Sequence, residues 1–200
     1  MKNHRTLGAC AAVAALSFVP ASFAAVTHEL DRVINGGAAS TPFATFNNAS
    51  GGVELVVGGL QLGTPEFLRT AWFNFTGNPS NLTFTHLSGQ AASNVTAGNN
   101  AFTVGSAGVF DLQLDYPTAA DSRFEAGETS RYLISGAGLR DSMFNVMDQT
   151  GSFVAVANIG DGSSFVGAVP EAETYAMLLA GLGLLGFMVN RRKRRVFPTL

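Results

Sequence analysis

Between Val53 and Phe165 the chain alternates apolar and polar residues with a period of two, and helical spacing is hard to find. Val53, Leu55 and Val57 alternate with Glu54 and Val56. Gly58-Gly59 then offers a hairpin-type turn, with Leu60 and Leu62 resuming the pattern. Ala71, Phe73 and Phe75 fall on one face of a run that puts Trp72, Asn74 and Thr76 on the other. Leu82, Phe84 and His86 alternate with Thr83, Thr85 and Leu87. The clearest run places Phe110, Leu112, Leu114 and Tyr116 inward, and Asp111, Gln113 and Asp115 toward solvent. Shorter runs occur at 102–104, 131–135, 143–147 and 153–157, and 160–167 predicts a last strand with a short tether. Between them stand Gly77-Asn78-Pro79-Ser80, Gly98-Asn99-Asn100 and Gly160-Asp161-Gly162, which supply turn chemistry through positive φ at Gly and Asn or the preset φ of Pro. Short strands with regular turns predict an all-β fold, an antiparallel β-sandwich or jelly-roll-like ectodomain whose Phe residues fill the core. No fixed internal repeat suggests a solenoid or propeller.

The two ends follow other patterns. Lys2 and Arg5 precede an apolar stretch from Leu7 to Val19, broken by Pro20, and Ser22-Phe23-Ala24 is a small-x-small cleavage site. These residues predict a secretory signal, helical, spanning 1–24, with cleavage between Ala24 and Ala25 and export through the Sec machinery. Leu7-Gly8-Ala9-Cys10 also resembles a lipoprotein box, but only six mostly polar residues precede it instead of an apolar segment. At the other end an apolar, glycine-punctuated span at 174–189 predicts a transmembrane helix in the inner membrane. Its stop is the cluster Arg191, Arg192, Lys193, Arg194 and Arg195, held on the cytoplasmic side by the positive-inside rule. Residues 25–168 then form the ectodomain, outside the inner membrane, and 196–200 a short tail.

Charge narrows the partners. From 25 to 169, twelve acidic residues face five arginines and no lysine, leaving a net charge of −7. Such a domain is a poor match for nucleic acid or an anionic membrane surface. Cys10 is the only cysteine and leaves with the signal, so the exported domain relies on its own core without a disulfide.

Candidate chemistry is sparse. His28 and His86 are the only histidines after the signal and lack metal-ligand spacing. Serines at Gly162-Ser163-Ser164 and Gly105-Ser106-Ala107-Gly108 do not form a nucleophile elbow. Asp111 and Asp115 share a predicted strand face, but four residues of strand separate them by ~13 Å, beyond the ~5–9.5 Å that glycoside cleavage needs. A solvated face is the simpler account of both. Asp115, Asp121 and Asp161 lack a calcium-loop signature. Trp72, Tyr116 and Tyr132 are candidate sugar-stacking residues, with core packing the simpler role. Thr83-Phe84-Thr85 is a single Thr-x-Thr, short of the repeated array an ice-binding face requires. No metal, cofactor or catalytic residue is therefore expected.

Val169-Pro170-Glu171-Ala172-Glu173, the apolar span and the basic cluster, in that order, resemble the PEP-CTERM sorting signal of Gram-negative bacteria over 169–195. Pro170 and Glu171 match the motif, whereas Ala172 replaces its usual second proline. The resemblance implies processing by an exosortase, a membrane enzyme resembling a cysteine protease, and an association with extracellular polysaccharide and biofilm matrix. The expected protein is a non-enzymatic, exported structural component of the cell surface or matrix. The alternative is a module binding matrix polysaccharide; hydrolase and ice-binding roles rank below both.

Overall fold

The computed structural model describes residues 25–36, 41–59, 62, 65–160, 164–169, 179–184 and 187. Within these, eleven strands form two antiparallel sheets. They are β1 (Val26–Glu29), β2 (Arg32–Asn35), β3 (Phe43–Ala49), β4 (Gly52–Gly58), β5 (Leu68–Phe73), β6 (Thr83–Gly89), β7 (Asn94–Val104), β8 (Gly108–Asp115), β9 (Thr129–Ser135), β10 (Ala155–Ile159) and β11 (Ser164–Ala168). The first sheet runs β1-β3-β4-β9-β6 and the second β2-β11-β10-β5-β8-β7. The all-β, two-sheet architecture expected from the alternation is present.

The core lies between the sheets and is built by that same period of two. Val53, Leu55 and Val57 of β4 and Tyr132 and Ile134 of β9 point inward from the first sheet. Ala71 and Phe73 of β5, Leu112 and Leu114 of β8, and Ala155, Ala157 and Ile159 of β10 meet them from the second. Glu54 and Arg131 form an ion pair on the outer side of the first sheet, where it contributes little. Phe46 is the hub. It is fully buried, stacks on Phe144 at 4.3 Å, and meets Phe73 edge-on at 5.4 Å.

Several local expectations are corrected. The 143–147 run is not a strand. Asp141–Phe144 forms a 3-10 turn, pinned where the Asn48 side chain accepts from the Asp141 N–H at 3.0 Å, and it delivers Phe144 to Phe46. Gly58-Gly59 does not turn a hairpin, because β4 pairs backward with β3 through Ser50-Gly51 and across to β9. Leu62 instead closes a turn on the Gly59 carbonyl. Strands β1 to β3 carry no clear alternation; in Phe43–Ala49 the inward positions are only Ala44 and Phe46, amid Thr and Asn.

The β8 face also divides. Phe110, Leu112, Leu114 and Tyr116 are all buried, but Phe110 joins Val104, Ala107 and Val156 in a separate cluster. The division coincides with a bulge in β7. Ala97 pairs with Leu112 and Phe102 with Phe110, so four residues of β7 oppose Asp111 alone. Asn100 within that bulge has φ +48. Asp111 is accordingly not on a solvated face: it is 6% exposed and accepts hydrogen bonds from the N–H of Phe75 at 3.0 Å and of Asn100 at 2.7 Å.

The signal at 1–24, the motif residues Pro170 and Glu171, and the basic stop Arg191 to Arg195 lie outside the described residues. Residues 179–184 and 187 are helical, and no helix among the described residues is long and apolar enough to cross a membrane.

Candidate functional site: the C-terminal tail and the outer face of the second sheet

Two places on the molecule hold the residues that the sequence singled out. The first is the end of the folded domain. Strand β11 is hydrogen-bonded on both sides, to β10 and to β2, and ends at Ala168. Only the exposed Val169 separates it from Pro170. The sorting motif therefore begins in sequence one residue beyond a strand that is paired on both edges.

The second place is the face of the second sheet turned away from the core. Cross-strand pairing sets Val156, Trp72 and Gln113 side by side, and next to them Asn158, Thr70 and Asp115. The Trp72 indole N–H donates to Gln113 Oε1 at 2.9 Å. Gln113 Nε2 donates to Asp115 Oδ2 at 2.8 Å, and the Thr70 hydroxyl to Asp115 Oδ1 at 3.0 Å. Trp72 stacks with Phe165 at 6.1 Å and an interplanar angle of 27°. A side chain at Gly167 would collide with the Phe153 ring, which lies 2.5 Å from where its Cβ would stand, so glycine lets that ring settle on the sheet. The result is a half-buried aromatic patch bordered by a hydrogen-bonded polar row. Asp115 is thereby committed to Thr70 and Gln113, and Asp111 to the β7 bulge, so the two carboxylates serve different partners.

The other candidates lie elsewhere in the fold. Tyr116 is buried edge-on against Phe124 at 4.7 Å, and burial pushes its phenol well above the usual value. Tyr132 is 4% exposed; its hydroxyl accepts from the Ala92 N–H at 2.8 Å, and burial raises it as well. Of the three candidate stacking residues, only Trp72 reaches a surface. His28 is buried against Phe46, with Nε2 3.0 Å from the Phe144 carbonyl, and burial lowers its pKa despite that hydrogen bond. His86 is exposed and lies against Tyr132. No group of three His, Cys, Asp or Glu able to hold a metal occurs among the described residues. A shallow, open depression of about 290 Å³ lies between Pro65, Glu66, Phe67 and Arg123 on one side and Ile159, Gly160 and Ser164 on the other. The Arg123 guanidinium sits 4.4 Å over the Phe67 ring there.

Sequence reasoning missed the partners of Trp72, because Gln113 and Phe165 reach it only through strand pairing. It also missed Asp148, whose carboxylate accepts from the N–H groups of Thr150, Ser152 and Phe153 and from the Thr150 hydroxyl. The signal was present: Asp148-Gln149-Thr150-Gly151 is an Asx-type turn sequence.

The last strand of this two-sheet domain ends one residue before a short motif, which an apolar span and a basic cluster follow in the sequence. In the comparison with known families, residues 168–195 match the PEP-CTERM protein-sorting motif. The chain thus carries the signal of exported proteins that exosortase-type machinery processes and sorts to the cell surface. No curated protein and no solved structure matches the chain.

Proposed function

We propose that this chain is a non-enzymatic structural protein of the cell surface or extracellular matrix, delivered by the exosortase route. The observation that carries the reading is the position of the sorting motif, whose match begins at the final residue of β11. In this account the signal is removed between Ala24 and Ala25 during Sec export, and the ectodomain folds outside the inner membrane. The 174–189 span holds it there, with Arg191 to Arg195 on the cytoplasmic side. The enzyme reads Pro170-Glu171, removes the anchor, and releases a domain whose C-terminus is pinned by β11. The partners are therefore the export machinery, the inner membrane, the exosortase-type enzyme and the extracellular polysaccharide around the delivered protein. Cells lacking the exosortase-type enzyme should hold the full-length chain in the inner membrane. Unchanged surface delivery in those cells would overturn the assignment.

A second reading has its own support. An aromatic ring beside hydrogen-bonding side chains suits a sugar, which offers both a C–H face and hydroxyls, and Trp72 beside Gln113 and Asp115 has this form. Here the domain binds a neutral matrix polysaccharide. Titration of Trp72 fluorescence with polysaccharide extracted from the producing cells tests it. A saturable change that Gln113→Ala weakens supports binding, and no change at any concentration refutes it.

A further inference from the structure

The two sheets end very differently at their two rims. At one rim stand β1 and β2, strands of four residues each, with Glu29, Asp31 and Arg32 in or between them. At the other rim stand β6 and β7, joined by the short connection 90–93. Neither β6 nor β7 contains a charged residue or a proline. Six of the seven β6 residues are exposed. Leu87, skipped in the β6–β9 register, projects with 49% of its surface open. The far half of β7 is bulged at 98–101 and touched by the Pro79–Asn81 turn, which leaves β6 and 94–97 as the open edge. Edge strands are usually blunted by lysine, proline, shortness or a bulge. This rim lacks the first three, and its bulges are confined to His86–Ser88 and 98–101.

We propose that the β6/β7 rim pairs with the same rim of a second copy of this chain, about a two-fold axis. The rim presents two strand edges side by side, ~10 Å apart across the sandwich. One extended peptide would complete only one sheet, whereas a second copy supplies two edges at the matching spacing. Charge points to the same place: with a net −7 on the domain, an uncharged rim is where two copies meet with least repulsion. Seven residues of strand are ~23 Å long, and with the sandwich depth they bury roughly 900–1,000 Å² over both copies, at the lower limit for a specific interface. The dimer is therefore weak, forming where chains are crowded on a surface. The tails leave from β11, which lies beyond β10, β5 and β8 from this rim. Pairing places the two tails at opposite ends, an arrangement suited to bridging.

Sedimentation velocity of the full chain in detergent micelles, from 1 to 100 µM, tests the proposal. Parent and Thr83→Gln/Thr85→Gln should double in protein mass across this range. Thr83→Lys/Thr85→Lys should remain monomeric, with a dissociation constant raised at least tenfold, because pairing would gather four ammonium groups along one seam. A parent that stays monomeric throughout overturns the proposal, as does a lysine variant that dimerises like the parent, which would assign association to the tail or another face. Should the lysine variant lose its β-sheet circular dichroism, Leu87→Cys in a Cys10→Ser background gives an independent measure. Oxidation should link two copies through Cys at this position faster than in a Glu54→Cys control on the sheet face; equal rates overturn the proposal.

Discussion

Asp111 should be among the most costly polar residues to remove. Its carboxylate is 6% exposed and ties the β7 bulge to the end of β5 through the backbone N–H groups of Asn100 and Phe75. A hydrogen bond to a charged group contributes about 1.5–3 kcal/mol, and a buried donor left unpaired loses its full desolvation penalty. Phe75 is buried and its N–H has no route to water, whereas Asn100 is half-exposed and its N–H can be rehydrated in part. Asp111→Ala should therefore cost about 2–4 kcal/mol. Asp111→Asn keeps the shape but offers one acceptor oxygen to two donors, turning its NH₂ toward one of them, and should cost about 1.5–3 kcal/mol. At about 3–4 kcal/mol the melting temperature falls by roughly 6–16 °C for a domain of this size. Urea unfolding followed by the fluorescence of Trp72, the only tryptophan, is the assay. Glu54→Ala, which breaks the outer ion pair with Arg131, is the control and should stay within about 1 kcal/mol. An Asp111→Ala variant within about 0.5 kcal/mol of the parent would return Asp111 to a solvated face and refute the bulge argument.

Two further outcomes follow from the core and the Asp148 turn. Phe46→Ala should cost about 3–5 kcal/mol, since a fully buried ring in contact with Phe73 and Phe144 leaves a cavity; urea midpoints measure it, and a cost under about 1 kcal/mol would contradict its place as the hub. At Asp148 burial acts to raise the carboxyl pKa, but hydrogen bonds from Thr150, Phe153 and Ser152 outweigh it and hold the group below its usual value. Its contribution is therefore complete above the unfolded-state value of about 3.9 and is lost as pH falls through the lower folded value. Unfolding curves of the parent and Asp148→Asn should differ by about 1.5–3 kcal/mol at neutral pH and converge in acid; a gap that widens below pH 4 would reverse the sign.

What the sequence revealed depended on whether a property is local. The period of two in Val53, Leu55 and Val57, and in Leu112 and Leu114, comes from the pleat itself, so those core faces could be read directly. The tail was equally readable, because motif, span and basic cluster are contiguous. Strand pairing is not local. Nothing in the neighbourhood of Trp72 shows that β8 brings Gln113 to its indole or that β11 brings Phe165 to its ring face. Asp111 defeated the pattern for the same reason: its outward parity was read correctly, but the extra residues of β7 that cover it belong to another strand. In β3 the fault was composition, since Ala44 is too small to mark an inward position among Thr and Asn.

The central claim is that the tail is a processed sorting signal and not merely an anchor. Cells expressing the parent, Pro170→Ala/Glu171→Ala, Ala172→Pro, or a chain with Arg191 to Arg195 replaced by Asn are fractionated and immunoblotted for size and location. The Pro170/Glu171 double variant should insert normally, because span and basic stop are untouched, then accumulate at full length in the inner membrane with less protein at the surface. Ala172→Pro should be processed at least as well as the parent, and the Asn variant should lose orientation before any processing. Equal surface delivery of the double variant and the parent would contradict the account.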